Sequence, residues 1–481
     1  QQMTMSNTLW KLIQRFLDDK NGMPVLNPAT GEQIAAVKTY SAAEIEDIIL
    51  RADNARKDWA ALTAKVRAER LRDWYFQVMA YRDQLASLCT AECGKPLAES
   101  LAEVVYAASF IEWFAEEAKR AYGETIPTVA RGKAVLTVKE AVGTCAAITP
   151  WNFPLAMITR KVGPALAAGC AMVVKPSEAT PLSALALEAL AAQARIPADI
   201  FRVVPSPEPA QVGNLFCSHP VIRKISFTGS TPVGKLLLAQ AAGSVKRVSM
   251  ELGGNAPFIV FDDADLDAAI DGLMISKFRN AGQTCVCANR VLVQDGVHDV
   301  FVAKLVERVK SLKVGDGSKP GVEIGPLIDE RAMAKVTKLA VDAAGAGAVV
   351  ACGGTPHEAG KQFFTPTVLT GVSQDMQIAQ SEIFGPIAPV IRFTDEAEAI
   401  RIANDTPFGL AAYFYARDVG RVWRVMAGLE YGMVAVNEGV LSTEIAPFGG
   451  IKESGLGREG SRHGLDEYLE LKYALIGGLS A

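Results

Sequence analysis

Apolar positions recur at helical spacing from about Ser41 to Arg120. Ser41 with Glu44 reads as a capping box that opens the first long helix of that stretch. The period then changes. Ala134-Val135-Leu136-Thr137-Val138-Lys139 alternates apolar and polar, the pattern of a half-exposed strand, and Tyr468-Leu469-Glu470-Leu471-Lys472-Tyr473 repeats it near the end of the chain. Two such strands outside the main pattern are expected to pair through their edges, with another subunit as the natural partner.

Between Gly143 and Val260 short apolar runs alternate with helical segments. Strands are expected at 144–149, 171–175, 201–204, 222–227 and 247–252, and helices at 156–168, 181–195, 209–218 and 232–242. This alternation predicts a parallel, doubly wound α/β sheet with ligands at the carboxyl ends of its strands. A second alternating block runs from about Asp263 to Tyr431, with helical stretches at 300–312 and 331–344. No internal repeat and no low-complexity tract interrupts either block.

Length and composition narrow the class. The 481 residues are enough for two or three domains, and 49% hydrophobic with 21% charged residues is ordinary for a soluble globular protein. A net charge of -4 argues against nucleic-acid and anionic-membrane surfaces, which call for a basic face. The best apolar run, Pro164 to Val174, is too short to span a bilayer and is flanked by Arg160, Lys161 and Lys175. The first residues are polar and lack the apolar region of a signal peptide. Eight cysteines without paired spacing, apart from Cys285 and Cys287, fit free thiols in a reducing cytoplasm. Four histidines, none paired at ligand spacing, leave no metal site to expect.

Candidate chemistry lies at strand ends. Phe278-Arg279-Asn280-Ala281-Gly282-Gln283-Thr284-Cys285-Val286-Cys287 presents a cysteine on a small polar turn, where a nucleophile would sit. Gly229-Ser230-Thr231-Pro232-Val233-Gly234-Lys235 follows a strand and opens a helix. It nearly spells a nucleotide P-loop, but Leu236 stands where Ser or Thr must hold Mg²⁺, so an ATPase is rejected; a dinucleotide pyrophosphate fits, and an ordinary tight strand-to-helix turn would look the same. Gly455-Leu456-Gly457-Arg458-Glu459-Gly460 is a literal G-x-G-x-x-G but follows no strand, and reads as a loop. Lys175-Pro176-Ser177-Glu178 ends a buried-looking strand and offers a lysine and a carboxylate to ribose hydroxyls; a solvated strand end would look the same. Glu251, ending an apolar strand before Gly253 and Gly254, has the surroundings that raise a carboxyl pKa and suit a general base. Pro150-Trp151-Asn152-Phe153-Pro154 carries an amide able to donate to an oxyanion.

Together, and in order, 150–154, 175–178, 227–234, Glu251-Leu252-Gly253-Gly254, 282–285, Glu382-Ile383-Phe384-Gly385-Pro386 and Pro447-Phe448-Gly449-Gly450 resemble the aldehyde dehydrogenase superfamily over essentially the whole chain. The resemblance implies two doubly wound α/β domains and a small β oligomerisation arm. It places a dinucleotide-binding domain at 1–120 and 143–252 with 432–464 packed on it, a catalytic domain at 253–431, and oligomerisation strands at 121–142 and 465–481. It implies Cys285 as nucleophile, Glu251 as base and Asn152 as oxyanion donor. NADP or NAD would lie on Trp151, Lys175, Ser177, Glu178, Gly229, Ser230, Leu252 and Glu382, with a slight lean to NADP.

Segments 278–289 and 456–473 are similar to the succinate-semialdehyde dehydrogenases. That group implies Arg160, Arg279 and Ser442 (or its neighbour Thr443) on a substrate carboxylate, which arginine grips well. Glutarate semialdehyde, one methylene longer, and a broader aldehyde range are the rival substrates. Cys287 is a candidate redox partner for Cys285. A homodimer or homotetramer is expected, with no nucleic acid and no membrane as partner. Two other classes fit the residues less well. A catalytically silent binding protein would not need Cys285, Glu251 and Asn152, and a cysteine hydrolase lacks a histidine partner among His219, His298, His357 and His463.

Overall fold

The computed structural model describes residues 7–479. The first six and last two residues, where the expected N-terminal domain begins and the C-terminal arm ends, lie outside the described residues. Ser41 caps the helix Ala42–Ala61 with both bonds of a capping box, and three more helices, Ala64–Ala80, Arg82–Cys93 and Leu97–Glu117, complete the N-terminal layer.

Two sheets organise the rest. The six-stranded sheet has the order Gly455–Leu456, Arg247–Glu251, Ile222–Thr228, Thr144–Ile148, Ala171–Lys175, Phe201–Val203, parallel throughout except for its first member. Thr144–Ile148 starts in the middle and the chain winds out on both sides, so the topological switch lies beside it. In register, Ile148 pairs with Lys175 and Phe227, and Thr228 with Glu251. The carboxyl ends therefore bring the 150–154 turn, Lys175, Gly229 and Glu251 to one rim. The helices Ala156–Ala168, Pro181–Gln193, Pro209–Ser218 and Thr231–Ala241 cover the faces, and this sheet shares one continuous core with the N-terminal helices.

The seven-stranded sheet has the order Val349–Cys352, Thr367–Thr370, Ile387–Phe393, Ala288–Gln294, Ala256–Val260, Ala411–Tyr415, Met433–Val436 and a second, separate core. All its neighbours are parallel except the first pair. The segment 432–464 is divided between the two sheets. Met433–Val436 is an edge strand here, paired with Ala411–Tyr415, while Gly455–Leu456 joins the six-stranded sheet beside Arg247–Glu251.

Two local expectations change. The outlying alternating strands pair with each other: Leu469–Ile476 runs antiparallel to Ala134–Ala141 over eight residue pairs, and Thr125–Ile126 adds a third strand. Alternation marks an apolar face, but it does not say which edge meets which. The G-x-G-x-x-G run contains a two-residue strand as well as loop. A Cβ at Gly455 would lie 1.8 Å from the Met250 carbonyl oxygen, so only glycine lets this strand close on Arg247–Glu251.

Candidate active site

The helix Leu266–Phe278 ends in a turn at Arg279–Gly282 where Asn280 (φ +50°), Ala281 (φ +56°) and Gly282 (φ +78°) are all left-handed. Strain at each non-glycine residue is of order 1–3 kcal/mol. A Cβ on Gly282 would also meet the Gly385 carbonyl oxygen at 2.1 Å. The turn carries Cys285, half-buried, to the rim of the six-stranded sheet. There the Asn152 amide donates to the Gln283 carbonyl at 3.2 Å, leaving its second hydrogen free, and Asn152 Oδ1 has no partner. Burial pushes the Cys285 thiol up to about 12; Arg160 and Arg279 oppose that, while Glu382 and Glu251 add to it. The resting group is a thiol, and attack requires removing its proton.

Glu251 ends its strand only 2% exposed, and neither of its oxygens has a hydrogen-bond partner. Burial, then the charge of Glu459, hold its pKa well above the carboxylate range, against the pull of Arg160 and Lys161. Glu459 itself is kept ionised, with burial outweighed by Arg160 and Lys161. Lys161 Nζ lies 2.8 Å from Glu459 Oε1, and Arg160 Nε is 2.9 Å from Oε2 in a contact not aligned as a hydrogen bond. The two glycines after Glu251 permit close approach. A Cβ on Gly254 would sit 2.7 Å from the Cys285 carbonyl oxygen, and one on Gly253 2.8 Å from a Glu382 carboxylate oxygen.

The cofactor candidates occupy the same rim. Ser230 stands at the N-cap of Thr231–Ala241 but makes no side-chain cap bond, so it does not satisfy the first amides of that helix. Gly229 is packed against the Phe227 ring, 2.5 Å from a would-be Cβ, and Gly234 against the Leu252 side chain at 2.3 Å. Thr228 Oγ1 is buried without a partner. Lys175 Nζ donates to Glu178 at 2.6 Å and to the Pro176 carbonyl at 3.0 Å, and Ser177 Oγ accepts from Ala179 N–H at 3.3 Å. Trp151 packs edge-on to Phe384 at 5.7 Å. Glu382 is raised to about 7 by burial, opposed by Lys335. An uncapped helix start, an orphaned hydroxyl and a lysine at a strand end on the same rim suit a dinucleotide.

The substrate candidates divide. Arg160 is 2% exposed, stacks on the Phe448 ring at 4.5 Å, and has no partner for Nη2. Arg279 lies over the Phe153 ring at 5.4 Å. Ser442 is partly buried on the loop after Met433–Val436, and no hydrogen bond joins it to either arginine. Thr443 Oγ1 is engaged by Glu444 at 3.2 Å. Cys287 is buried and free; Lys277 Nζ donates to its sulfur at 3.3 Å, and the thiol reaches the Ala288 carbonyl at 3.2 Å.

Sequence reasoning missed three residues here. Tyr106, on Leu97–Glu117, has a buried hydroxyl without a partner. Burial raises it, and the cations Arg160 and Arg279, with the Cys285 thiol, are its neighbours. Lys161 had a signal: two consecutive cations inside the apolar 156–168 stretch must be exposed or paired. Glu459 had none, because its partner is 298 residues away.

Comparison with known proteins finds close relatives over nearly the whole chain. The family model described as "Aldehyde dehydrogenase family" matches residues 16–474. The chain is 57% identical to "Succinate-semialdehyde dehydrogenase [NADP(+)] GabD" of Escherichia coli K12 over 96% of each sequence. It is 56% identical to a glutarate-semialdehyde dehydrogenase of Pseudomonas aeruginosa, again over 96% of each. The crystal structure of an E. coli NADP-dependent enzyme superposes with a TM-score of 0.94 at 56% identity, covering 96% of this chain and 95% of the other.

Proposed function

The chain belongs to the aldehyde dehydrogenase family, and from that premise we propose that it oxidises succinate semialdehyde to succinate through a thioester on Cys285, with NADP or NAD as acceptor. One observation carries the substrate class. Beside the candidate nucleophile, Arg160 Nη2 and the Tyr106 hydroxyl are buried without partners, and Arg279 stands next to them. Buried donors without acceptors are costly unless a ligand supplies the acceptors. A second, remote carboxylate on the aldehyde does so.

Arg160, Arg279 and Tyr106 bind that carboxylate and hold the aldehyde carbon over Cys285 Sγ. Cys285 loses its proton to solvent, and the thiolate sulfur bonds to the aldehyde carbon as the carbonyl π bond opens. The oxygen becomes an oxyanion, received by the free hydrogen of the Asn152 amide and by the Cys285 N–H. When bound, the nicotinamide supplies the two-electron acceptor that takes hydride from this carbon. Trp151, Lys175, Ser177, Glu178, Gly229, Ser230, Leu252 and Glu382 would hold that cofactor. Glu251, once ionised, takes a proton from water, which attacks the thioester; its raised pKa makes it an effective base. The carbon–sulfur bond breaks, succinate leaves, and the proton held by Glu251 passes to the Cys285 thiolate.

Glutarate semialdehyde is the second reading, supported by the relative named for it; one methylene shifts specificity by only ~1–3 kcal/mol. A Cys285–Cys287 disulfide as a reversible off-state would have to draw Cys287 away from Lys277. The outer edge of Leu469–Ile476, with Leu471, Tyr473 and Leu475 exposed, favours assembly into a homodimer or homotetramer. Eight free thiols favour a reducing cytoplasm. Among the described residues no helix is long and apolar enough to cross a membrane. Steady-state kinetics with both semialdehydes and both cofactors test the assignment. It fails if neither semialdehyde is turned over.

A further inference from the structure

The turn that delivers Cys285 is held from the other core of the protein. Asn280 and Ala281 adopt left-handed conformations that residues with a Cβ avoid, and such backbone persists only where the surroundings over-determine it. Here they do. Glu99, in the first turn of Leu97–Glu117, accepts the Asn280 backbone N–H at 2.7 Å. The Asn280 amide donates to the Asn152 carbonyl at 3.1 Å and to the Gln283 carbonyl at 3.2 Å. Gln283 Nε2 returns a bond to the Asn280 carbonyl at 3.0 Å, and Gln283 Oε1 accepts from Ile328 N–H at 3.1 Å. The Gln283 carbonyl that receives Asn280 also receives the Asn152 amide.

We propose that Glu99 and Asn280 are positioning residues that lock this left-handed turn and so set Cys285 opposite the Asn152 amide across the two domains. A glutamate in the first turn of a helix needs no partner beyond the free helix amides. This one is instead aimed at a backbone N–H of the nucleophile turn, in a chain segment 181 positions away. Burial raises its carboxyl, and the Asn280 N–H, Lys95 and Arg279 oppose that rise. The bond ties the turn's strained residue to the layer that also carries Asn152. Without it the turn relaxes toward ordinary backbone, and Cys285 and Asn152 lose their shared geometry.

The inference rests on Cys285 being the nucleophile, and the test separates the two claims. Glu99→Ala, Glu99→Gln and Asn280→Gly are compared with the full-length wild type by the pre-steady-state burst of reduced cofactor. The burst amplitude counts active sites and its rate constant reports acylation. Glu99→Ala and Asn280→Gly are expected to lower the burst rate constant per active site by about tenfold or more, the scale of a misplaced reacting group. Cofactor affinity should be unchanged, and Glu99→Gln, which keeps an acceptor oxygen, should stay close to wild type. A merely structural role would lower amplitude and thermal stability and leave the per-site rate alone. An unchanged per-site rate in both variants, or a Glu99→Gln rate as low as that of Glu99→Ala, overturns the proposal. If Glu99→Ala does not fold, Asn280→Gly, whose backbone suits a positive φ, decides it. A burst surviving in Cys285→Ser would instead defeat the nucleophile assignment.

Discussion

Two buried polar clusters flank the same helix, Ala156–Ala168, and they are built in opposite ways. At its N-terminus, Lys95 Nζ meets Glu103 Oε2 at 2.5 Å, and Glu103 Oε1 accepts the Leu155 and Ala156 N–H groups at 2.9 and 3.3 Å. Lys95 also lies over the Phe153 ring at 3.9 Å. Both Glu103 oxygens and the Lys95 ammonium are engaged. The second cluster gathers around Arg160, about one turn along, and the turn before the helix; Arg160 Nη2, both Glu251 oxygens, Asn152 Oδ1, Thr284 Oγ1 and the Tyr106 hydroxyl are buried there without an aligned hydrogen bond. Each such orphan costs roughly 1–3 kcal/mol. The first cluster is scaffold, because folding alone completes it. The second is completed only by something that is not protein, and that is what marks it as a site.

This contrast can be broken by exchanging single groups. The largest effect is expected on the turnover of Glu251→Gln. Losing a general base slows thioester release by about 10²–10⁴-fold, while thermal stability stays close to wild type, because an amide of the same shape replaces a group that folding leaves unpaired. A clear drop in its melting temperature would mean that Glu251 is scaffold after all. Glu103→Ala should do the reverse. Stranding Lys95 without its partner costs about 3–5 kcal/mol in chemical denaturation, and the protein that remains folded keeps its per-site burst rate. Equal stability to wild type would erase the distinction between the clusters.

Arg279→Met tests the substrate end. Losing a charged hydrogen bond of about 1.5–3 kcal/mol lowers kcat/KM for succinate semialdehyde by one to two orders of magnitude, with little change for butanal. A parallel loss with both aldehydes would move Arg279 from the ligand to the fold. Glu459→Gln gives the smallest and most diagnostic change. Glu251 must be ionised to act, so the deacylation rate rises with pH as its raised carboxyl titrates. Removing the neighbouring negative charge lowers that pKa, and the rising limb of the pH–rate profile should move to lower pH. A limb that stays in place would show that burial alone sets the base.

Much of the scaffold was legible from residue patterns. The Ser41–Glu44 capping box is present in both its bonds, the helices Ala156–Ala168 and Pro209–Ser218 match their expected bounds, and the five parallel strands of the six-stranded sheet lie within a residue or so of theirs. Those features are local. The 150–154 turn, Glu251 and the Cys285 loop meet because the register of a parallel sheet brings strand ends to one rim, and the sequence order of motifs carries that information too. What stayed hidden depends on partners far along the chain. Arg160 is named by the resemblance alone, and nothing local shows that Glu459 reaches it from a glycine loop. The alternating strands 134–141 and 469–476 read as open edges until they meet each other. Tyr106 goes unmarked in the sequence, since nothing in its spacing shows that its hydroxyl ends without a partner.

The central claim is that the orphaned donors await a second carboxylate on the aldehyde. It is tested most directly by kcat/KM for succinate semialdehyde against butanal, an aldehyde of the same chain length without that charge, measured at saturating cofactor. The account predicts that the semialdehyde is preferred by about 10²-fold or more, the worth of a charged group paired in a buried site. Equal values, or a preference for butanal, would contradict it.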